Sequence, residues 1–460
     1  MSRTLFIKLM LIGSLFLLLL LPLTAVERLV EERAAHRHEV RSSLMQSGNL
    51  PQTVTGPILV VPYDVLNPSD GTVTTRQHVI LPQQLAVKGK LKSDVLYRSL
   101  YRVRRFAMDG DLSGQFRLEP ADLPAESNTL RLGVPYLVVG VSDSRGIHNQ
   151  PELQWQGQGR AFMPGSPLPM LSNGIHVPLP DLNLKAAADY QFAVNLQLGG
   201  SESLQFTPLG RDTRVSLESD WPHPSFDGNL SPTTRNVTRT GFTADWQTSW
   251  FATNLNQRVL EAVSGKERAE LPTDMNFGVT LVEPGDVYQQ AVRAVKYGVL
   301  FVLLTFVACF LMETLYQVRI HPIQYALVGT ALAMFFLLLL ALAEHIGFPQ
   351  AYSTASVACV GLITYYSRYM LGSRGRALGF FLMLSILYGA LYGLLQSEES
   401  ALLLGTLLLF AVLTTIMLLT RRLDWYQVGA PTPQPAVAPT ATQARTRTSM
   451  LDPSNPDEVR

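Results

Sequence analysis

Hydrophobic and polar positions give the chain three textures. From 297 to 420 the 124 residues carry only eight Asp, Glu, Lys or Arg, and their apolar positions form five runs, 297–316, 325–343, 351–371, 377–395 and 401–420. Each run is about 20 residues, the length an α-helix needs to cross roughly 30 Å of hydrocarbon. A further run, 9–26, follows Arg3 and Lys8 and contains five consecutive leucines, Leu17 to Leu21. Between 52 and 284 the pattern changes to alternation. Its clearest case is Tyr190, Phe192, Val194, Leu196 and Leu198, apolar at every second residue and ended by Gly199-Gly200, which predicts a half-buried strand. Further strands are expected at 58–62, 75–81, 95–108, 137–141, 214–221, 240–250 and 276–282, separated by Pro, Gly, Asp and Asn. Many short alternating strands with no helical period between them predict antiparallel sheets packed face to face.

The connecting segments set the plan. Residues 27–41 alternate in charge without a helix breaker, so the first helix is expected to project beyond the bilayer, held partly by pairs four residues apart. His36 and His38 lie two apart in it, point to different faces, and read as solvated residues rather than metal ligands. Ala25, with Leu23 two before it, makes a poor small-x-small cleavage site, so the first run is expected to be an uncleaved anchor. The organisation is then a transmembrane anchor at 1–26, a membrane-proximal charged helix at 27–51, a β-domain at 52–290, a five-helix block at 291–426, and a Pro/Ala/Thr-rich tail at 427–460. That tail is too poor in apolar residues to bury a core and is expected to be disordered and cytoplasmic. Breaks with Arg319 and with Arg374 and Arg376 alternate with breaks carrying Glu344 and Glu398. Cationic loops stay in the cytoplasm, so both termini are expected inside and the β-domain outside, in the periplasm of a cell with an outer membrane. The expected fold class is an α-helical membrane domain of six transmembrane helices plus a large periplasmic all-β, sandwich-like antiparallel domain.

Composition refines this in few places. With 37 Lys+Arg against 36 Asp+Glu there is no basic field to attract nucleic acid. The two cysteines, Cys309 and Cys359, both fall within apolar runs, so no disulfide holds the β-domain, and each reads as a small buried residue at a helix contact. No Gly-x-Ser-x-Gly elbow, phosphate loop, His-Glu-x-x-His helix or Cys-x-x-Cys pair occurs, and no catalytic residue, metal or cofactor is assigned. Three places carry candidate chemistry. Glu344 and His345, at the end of an apolar run, are a candidate intramembrane polar site for a proton or substrate. Trp221-Pro222-His223-Pro224-Ser225-Phe226 is a proline-stiffened segment suited to presenting Trp221, His223 and Phe226 to a partner, with Trp250 beside them as a further recognition candidate. Gly375, Gly379, Gly389 and Gly393 form two small-x3-small pairs, which predict close helix packing.

Glu218-Ser219-Asp220-Trp221-Pro222-His223-Pro224-Ser225-Phe226, followed by Gly241-Phe242, Trp246 and Ser249-Trp250-Phe251, resembles the CreD family of inner-membrane cell-envelope integrity proteins. Lys296-Tyr297, His321-Pro322-x-Gln324-Tyr325, Ala343-Glu344-His345, Ala401-Leu402-Leu403-Leu404-Gly405 and Asp424-Trp425-Tyr426 resemble it too, in order and at similar spacing. The resemblance runs from the first helix to about Tyr426 and leaves the tail outside. It implies a role in envelope integrity and in tolerance of envelope-directed agents, with a functional link to a Cre-type two-component system, and it offers no catalytic residues. The expected function is maintenance of the envelope by a β-module at the bilayer that binds an envelope component or partner protein. Two alternatives stay open: a transporter or intramembrane enzyme working through Glu344 and His345, and an accessory to an envelope sensor kinase.

Overall fold

The computed structural model describes residues 3–47, 50–98, 101–264, 273–283, 285, 287–316, 318, 320–397 and 400–421. Arg319, Glu398, Asp424-Trp425-Tyr426 and the 427–460 tail, singled out above, lie outside the described residues. The chain divides into two compact units. One gathers α1 (Arg3–Ser47) as far as Leu23 with Tyr297–Met334 and the helices from Ala358 onward; the other comprises Thr24–Lys296 and Phe335–Val357.

In chain order the strands are β1 (Gln52–Leu66), β2 (Val73–Ile80), β3 (Gln84–Arg98), β4 (Tyr101–Leu118), β5 (Leu130–Leu132), β6 (Tyr136–Val141), β7 (Glu152–Trp155), β8 (Gln158–Ala161), β9 (Met163–Pro164), β10 (Gly174–Pro178), β11 (Ala188–Ser201), β12 (Ser203–Thr207), β13 (Asp212–Ser219), β14 (Pro224–Gly228), β15 (Thr234–Thr238), β16 (Gly241–Ser249) and β17 (Phe277–Leu281). They form two sheets. One runs β14-β17-β12-β1-β6-β10-β9 with β2 and β5 also on β1, and the other runs β15-β16-β13-β3-β4-β11-β7-β8. Inward side chains of both, among them Leu59, Val139, Phe206 and Phe277 from the first and Leu112, Phe116, Phe192 and Trp246 from the second, make one continuous core.

The sandwich is therefore present, but its sheets are mixed rather than purely antiparallel: β1 pairs with β12 in parallel, and β3 with β13. Period-two alternation reports which face is buried and is blind to the direction of the neighbouring strand, so the parallel pairs left no mark in the pattern. At the parallel β1–β12 seam, Thr55 and Thr207 share a hydroxyl bond of 3.0 Å, and Thr207 donates to Asn276 Oδ1 at 2.9 Å. All three are buried, and pairing them satisfies groups that would otherwise oppose folding.

β1 and β6 are buried on both faces. Opposite the main core, Ile58, Val60, Tyr136 and Val138 meet Leu168, Leu171 and Val259, the last from α3 (Leu255–Ser264). This explains why both strands read as continuous apolar runs rather than as alternation. Gly56, at a φ of 99°, sits in the register shift of β1 between Thr55 and Ile58, a bulge conformation that favours glycine.

A buried carboxylate joins α1 to the sheet. Asp143, 6% exposed, accepts from Leu50 N at 3.1 Å, from Arg145 N, and from Arg145 Nε and Nη2 at 2.9 Å each. Arg145 Nη1 in turn donates to the Gln46 carbonyl at the end of α1. One turn earlier, Arg41 of α1 pairs with Glu202.

The remaining helices are α2 (Trp250–Thr253), α4 (Val287–Tyr316), α5 (Pro322–Ile346), α6 (Phe348–Met370), α7 (Arg374–Gln396) and α8 (Ala401–Thr420). Among the described residues α1, α4, α5, α7 and α8 are long and apolar enough to cross a membrane. α6 has the length, but Gln350, Ser353, Thr354, Ser356 and Arg368 make it more polar. At the second glycine pair of α7 no close helix approach is seen among the described residues; the tight approach lies at α5. A methyl group at Gly389 or Gly393 would meet nothing, whereas one at Gly329 of α5 would collide with Leu19 of α1. α8 buries none of its side chains, the composition of a helix facing lipid.

The Arg145 guanidinium, more than any other group, holds the Asp143 carboxyl below its usual range. Because folding lowers this pKa, the contribution is complete above the unfolded value of about 3.9 and is lost as pH falls through the lower folded value. Asp143→Asn is expected to destabilise the β-domain by about 1–3 kcal/mol at neutral pH. In urea unfolding, the gap to wild type should close below about pH 3.9.

Candidate functional site

Trp221 sits at the end of β13, half-buried against the core. Its indole N–H is shared between the carbonyls of His223 at 3.1 Å and Val282 at 3.0 Å. The His223 carbonyl also accepts from Val282 N. Over the indole face lies the Arg104 guanidinium, 3.8 Å from the ring centroid, close enough for a cation–π attraction. Arg104 and Arg102 both face Glu283, at 3.8 and 2.8 Å. The two prolines thus hold a corner at which the chain leaving β17 is tied to β13. Phe226 turns inward, packing edge-on against Phe242 at 5.6 Å and Trp246 at 5.8 Å. The His223 side chain is the exposed one of the three.

Trp250 lies at the other end of the same strand pair. Ser219 faces Phe242 at the Trp221 end and Asp212 faces Ser249 at the Trp250 end, which separates the two by about 24 Å at 3.4 Å per residue. Arg211 lies over the Trp250 ring at 4.3 Å, and Phe251 meets it edge-on at 5.4 Å. Phe251 is 88% exposed. The four aromatic and histidine candidates therefore fall into two places, and the side chain most available for contact is Phe251. Alternation alone did not mark it, because it stands in the short helix α2, just past the last residue of β16.

Glu344 and His345 also diverge. Glu344 accepts from the Tyr288 hydroxyl at 3.0 Å, tying α5 to the first turn of α4. His345 is exposed, and its Nδ1 lies 3.0 Å from the Ala341 carbonyl of its own helix. Successive helical residues point about 100° apart, so adjacency in sequence does not make these two a pair.

A third polar cluster was not anticipated from the sequence. Glu313, near the end of α4, is buried and accepts from Lys8 Nζ of α1, from Ile320 N at 3.1 Å and from the Tyr325 hydroxyl at 3.0 Å. The available signal was depth: an acid close to the end of one apolar run and a base just ahead of another lie at one level when those helices run in opposite directions. At the same end of this unit Arg376 of α7 lies over the Tyr316 ring at 4.8 Å and donates to the Leu371 carbonyl. Cys359 of α6 contacts the Ala331 carbonyl of α5 and the Tyr388 hydroxyl of α7. Among the described residues, no three His, Cys, Asp or Glu side chains converge as a metal site would require.

Lys8→Met should leave Glu313 unneutralised and destabilise the helical unit by about 3 kcal/mol, seen as a lower thermal aggregation temperature in detergent. Adding Glu313→Gln to that variant should recover most of the loss. Trp221→Phe, which removes the shared N–H, is expected to destabilise the β-domain by about 1–2 kcal/mol. Phe251→Ser should change its stability by less than about 0.5 kcal/mol; equal losses in these two variants would contradict the packing described for Trp221.

In comparison with known proteins, a family profile described as "Inner membrane protein CreD" matches residues 4–426. The curated protein "Inner membrane protein CreD" of Escherichia coli (strain K12) is 36% identical over 442 residues, covering 94% of this chain and 96% of that one. Among solved structures, an M1 zinc metallopeptidase from Deinococcus radiodurans overlaps 36% of this chain and 39% of its own at 11% identity, with a TM-score of 0.20. That likeness is too slight to bear on fold or chemistry.

Proposed function

The chain belongs to the CreD family of inner membrane proteins, and on that premise we propose that it maintains cell-envelope integrity through its β-domain, which binds an envelope component or a partner protein. The contact lies at the Trp250–Phe251 end of the second sheet, with the His223 corner as a further contact. The observation that carries this reading is Phe251, a large apolar side chain 88% exposed beside a half-buried tryptophan, the kind of aromatic anchor that protein interfaces use. A functional link to a Cre-type two-component system belongs to the same reading.

The polar groups of the helices favour it over a transporter or intramembrane enzyme. Glu313 is held by Lys8, Tyr325 and a backbone amide, and Glu344 by Tyr288; both join one helix to another. We further propose six crossings, with both termini cytoplasmic and the β-domain periplasmic. In support, α5 starts beside Glu313 at the end of α4, while α7 starts with Arg376 over Tyr316, also at the end of α4. A chain that leaves along α5 must return to reach α7. α6 meets α5 antiparallel, Tyr352 against Phe335 and Cys359 against Ala331.

Barrier function is tested by uptake of a normally excluded dye in cells lacking this protein and supplied with full-length variants. Phe251→Ser with Trp250→Ala should leave uptake high at a normal membrane level of the protein, and Glu344→Gln should restore the barrier. The reverse pattern would move the activity from the β-domain to the apolar helices.

A further inference from the structure

Where the projecting half of α1 passes the first two turns of α4, the two helices enclose a cleft of about 340 Å³. Arg37 and His38 from α1 and Tyr288, Gln289 and Arg293 from α4 line it, and none of its lining side chains is acidic. The Tyr288 ring is buried and fixed from two directions: Arg37 lies over it at 5.5 Å, and its hydroxyl is held by Glu344. The carboxylate therefore engages the far tip of the tyrosine, and the guanidinium lies against its face.

Depth identifies what such a cleft meets. Counting along α1 at 1.5 Å per residue, Arg37 stands about 16 Å beyond Val26, where the apolar run ends, and along α4 Arg293 stands about 6 Å outside Tyr297, where the next run begins. Helical side chains lean toward the N-terminus of their helix. Arg37 accordingly leans toward the bilayer and Arg293 away from it, so the two converge about 10–12 Å beyond the apolar runs, just outside a headgroup layer about 5–8 Å thick and within an arginine's reach of it. Guanidinium groups at that level match the oxygens of a phosphate in geometry and charge.

We propose that this cleft binds the phosphate group of an anionic phospholipid headgroup in the leaflet that α1 leaves and α4 enters. Arg37 and Arg293 supply charge-assisted hydrogen bonds, and His38 and Gln289 supply further donors. The inference requires only that α1 and α4 cross the membrane, so its failure would leave the β-domain reading untouched.

The test titrates the purified full-length chain, in neutral detergent, with phosphatidylglycerol and counts retained lipid by native mass spectrometry. Wild type should hold one phosphatidylglycerol in preference to phosphatidylcholine, and Arg37→Gln with Arg293→Gln should weaken that retention about tenfold or more. Lys88→Gln with Lys92→Gln, an equal loss of charge at exposed positions of β3, should leave it unchanged. Arg37→Lys with Arg293→Lys should retain part of it, which separates charge from folding. Identical titration of wild type and the Arg37→Gln/Arg293→Gln variant would overturn the site. Displacement of phosphatidylglycerol by an equal concentration of glycerol phosphate would overturn the lipid as its source.

Discussion

A charge among apolar helices is tolerated only where an opposite charge or a set of donors reaches it. In this chain that constraint is met at Glu313, where Lys8, Tyr325 and the Ile320 amide converge. The start of α1, the end of α4 and the start of α5 are thereby fixed at one level, and Arg376 over Tyr316 brings the start of α7 to the same end. Close packing of Leu19 on Gly329 extends the α1–α5 contact deeper into the helices. The start of α1, as far as Leu23, is thus built into this unit: cleavage after Ala25 would remove both Lys8 and Leu19.

The presence of a β-rich domain and of several long apolar helices was legible because those signals are strong. Runs of about 20 apolar residues leave few alternatives to membrane helices, and alternation in β11 fixed one of the longest strands almost to its ends. What stayed hidden depends on contacts distant in sequence. The parallel β1–β12 and β3–β13 pairs carry no local signature, and the double-sided burial of β1 and β6 follows from a cover that includes Leu168, Leu171 and Val259. Gly389 and Gly393 of α7 illustrate the converse: their spacing is that of a tight helix pair, yet among the described residues no atom lies within 4 Å of a methyl group placed at either.

Candidate sites were legible as residue types and not as arrangements. Trp221 and Trp250 stand 29 positions apart in a segment dense in aromatics, and only the β13–β16 register places them at opposite ends of one antiparallel strand pair. Indole N–H groups seek acceptors when buried, and at Trp221 two carbonyls meet that need. Phe251, with no comparable tie, emerged only once exposure was known. Lys8 and Glu313, 305 positions apart, belong to separate apolar runs, and reading them together requires placing both helices across the same thickness first.

The position of β1 in its sheet has a consequence for how the protein is made. β1 is among the first strands to emerge, yet its parallel partner β12 comes about 140 residues later, and β12 itself is flanked by β17, which ends at Leu281. Strands that must wait for distant partners pair late and keep exposed edges meanwhile. The first sheet cannot be complete until Leu281 has been synthesised, and α4 begins only six residues later. Closure of the sandwich and entry of the second apolar helix into the bilayer therefore fall almost together in time. Over the preceding 200 or so residues the nascent β-domain must be kept from pairing with other chains.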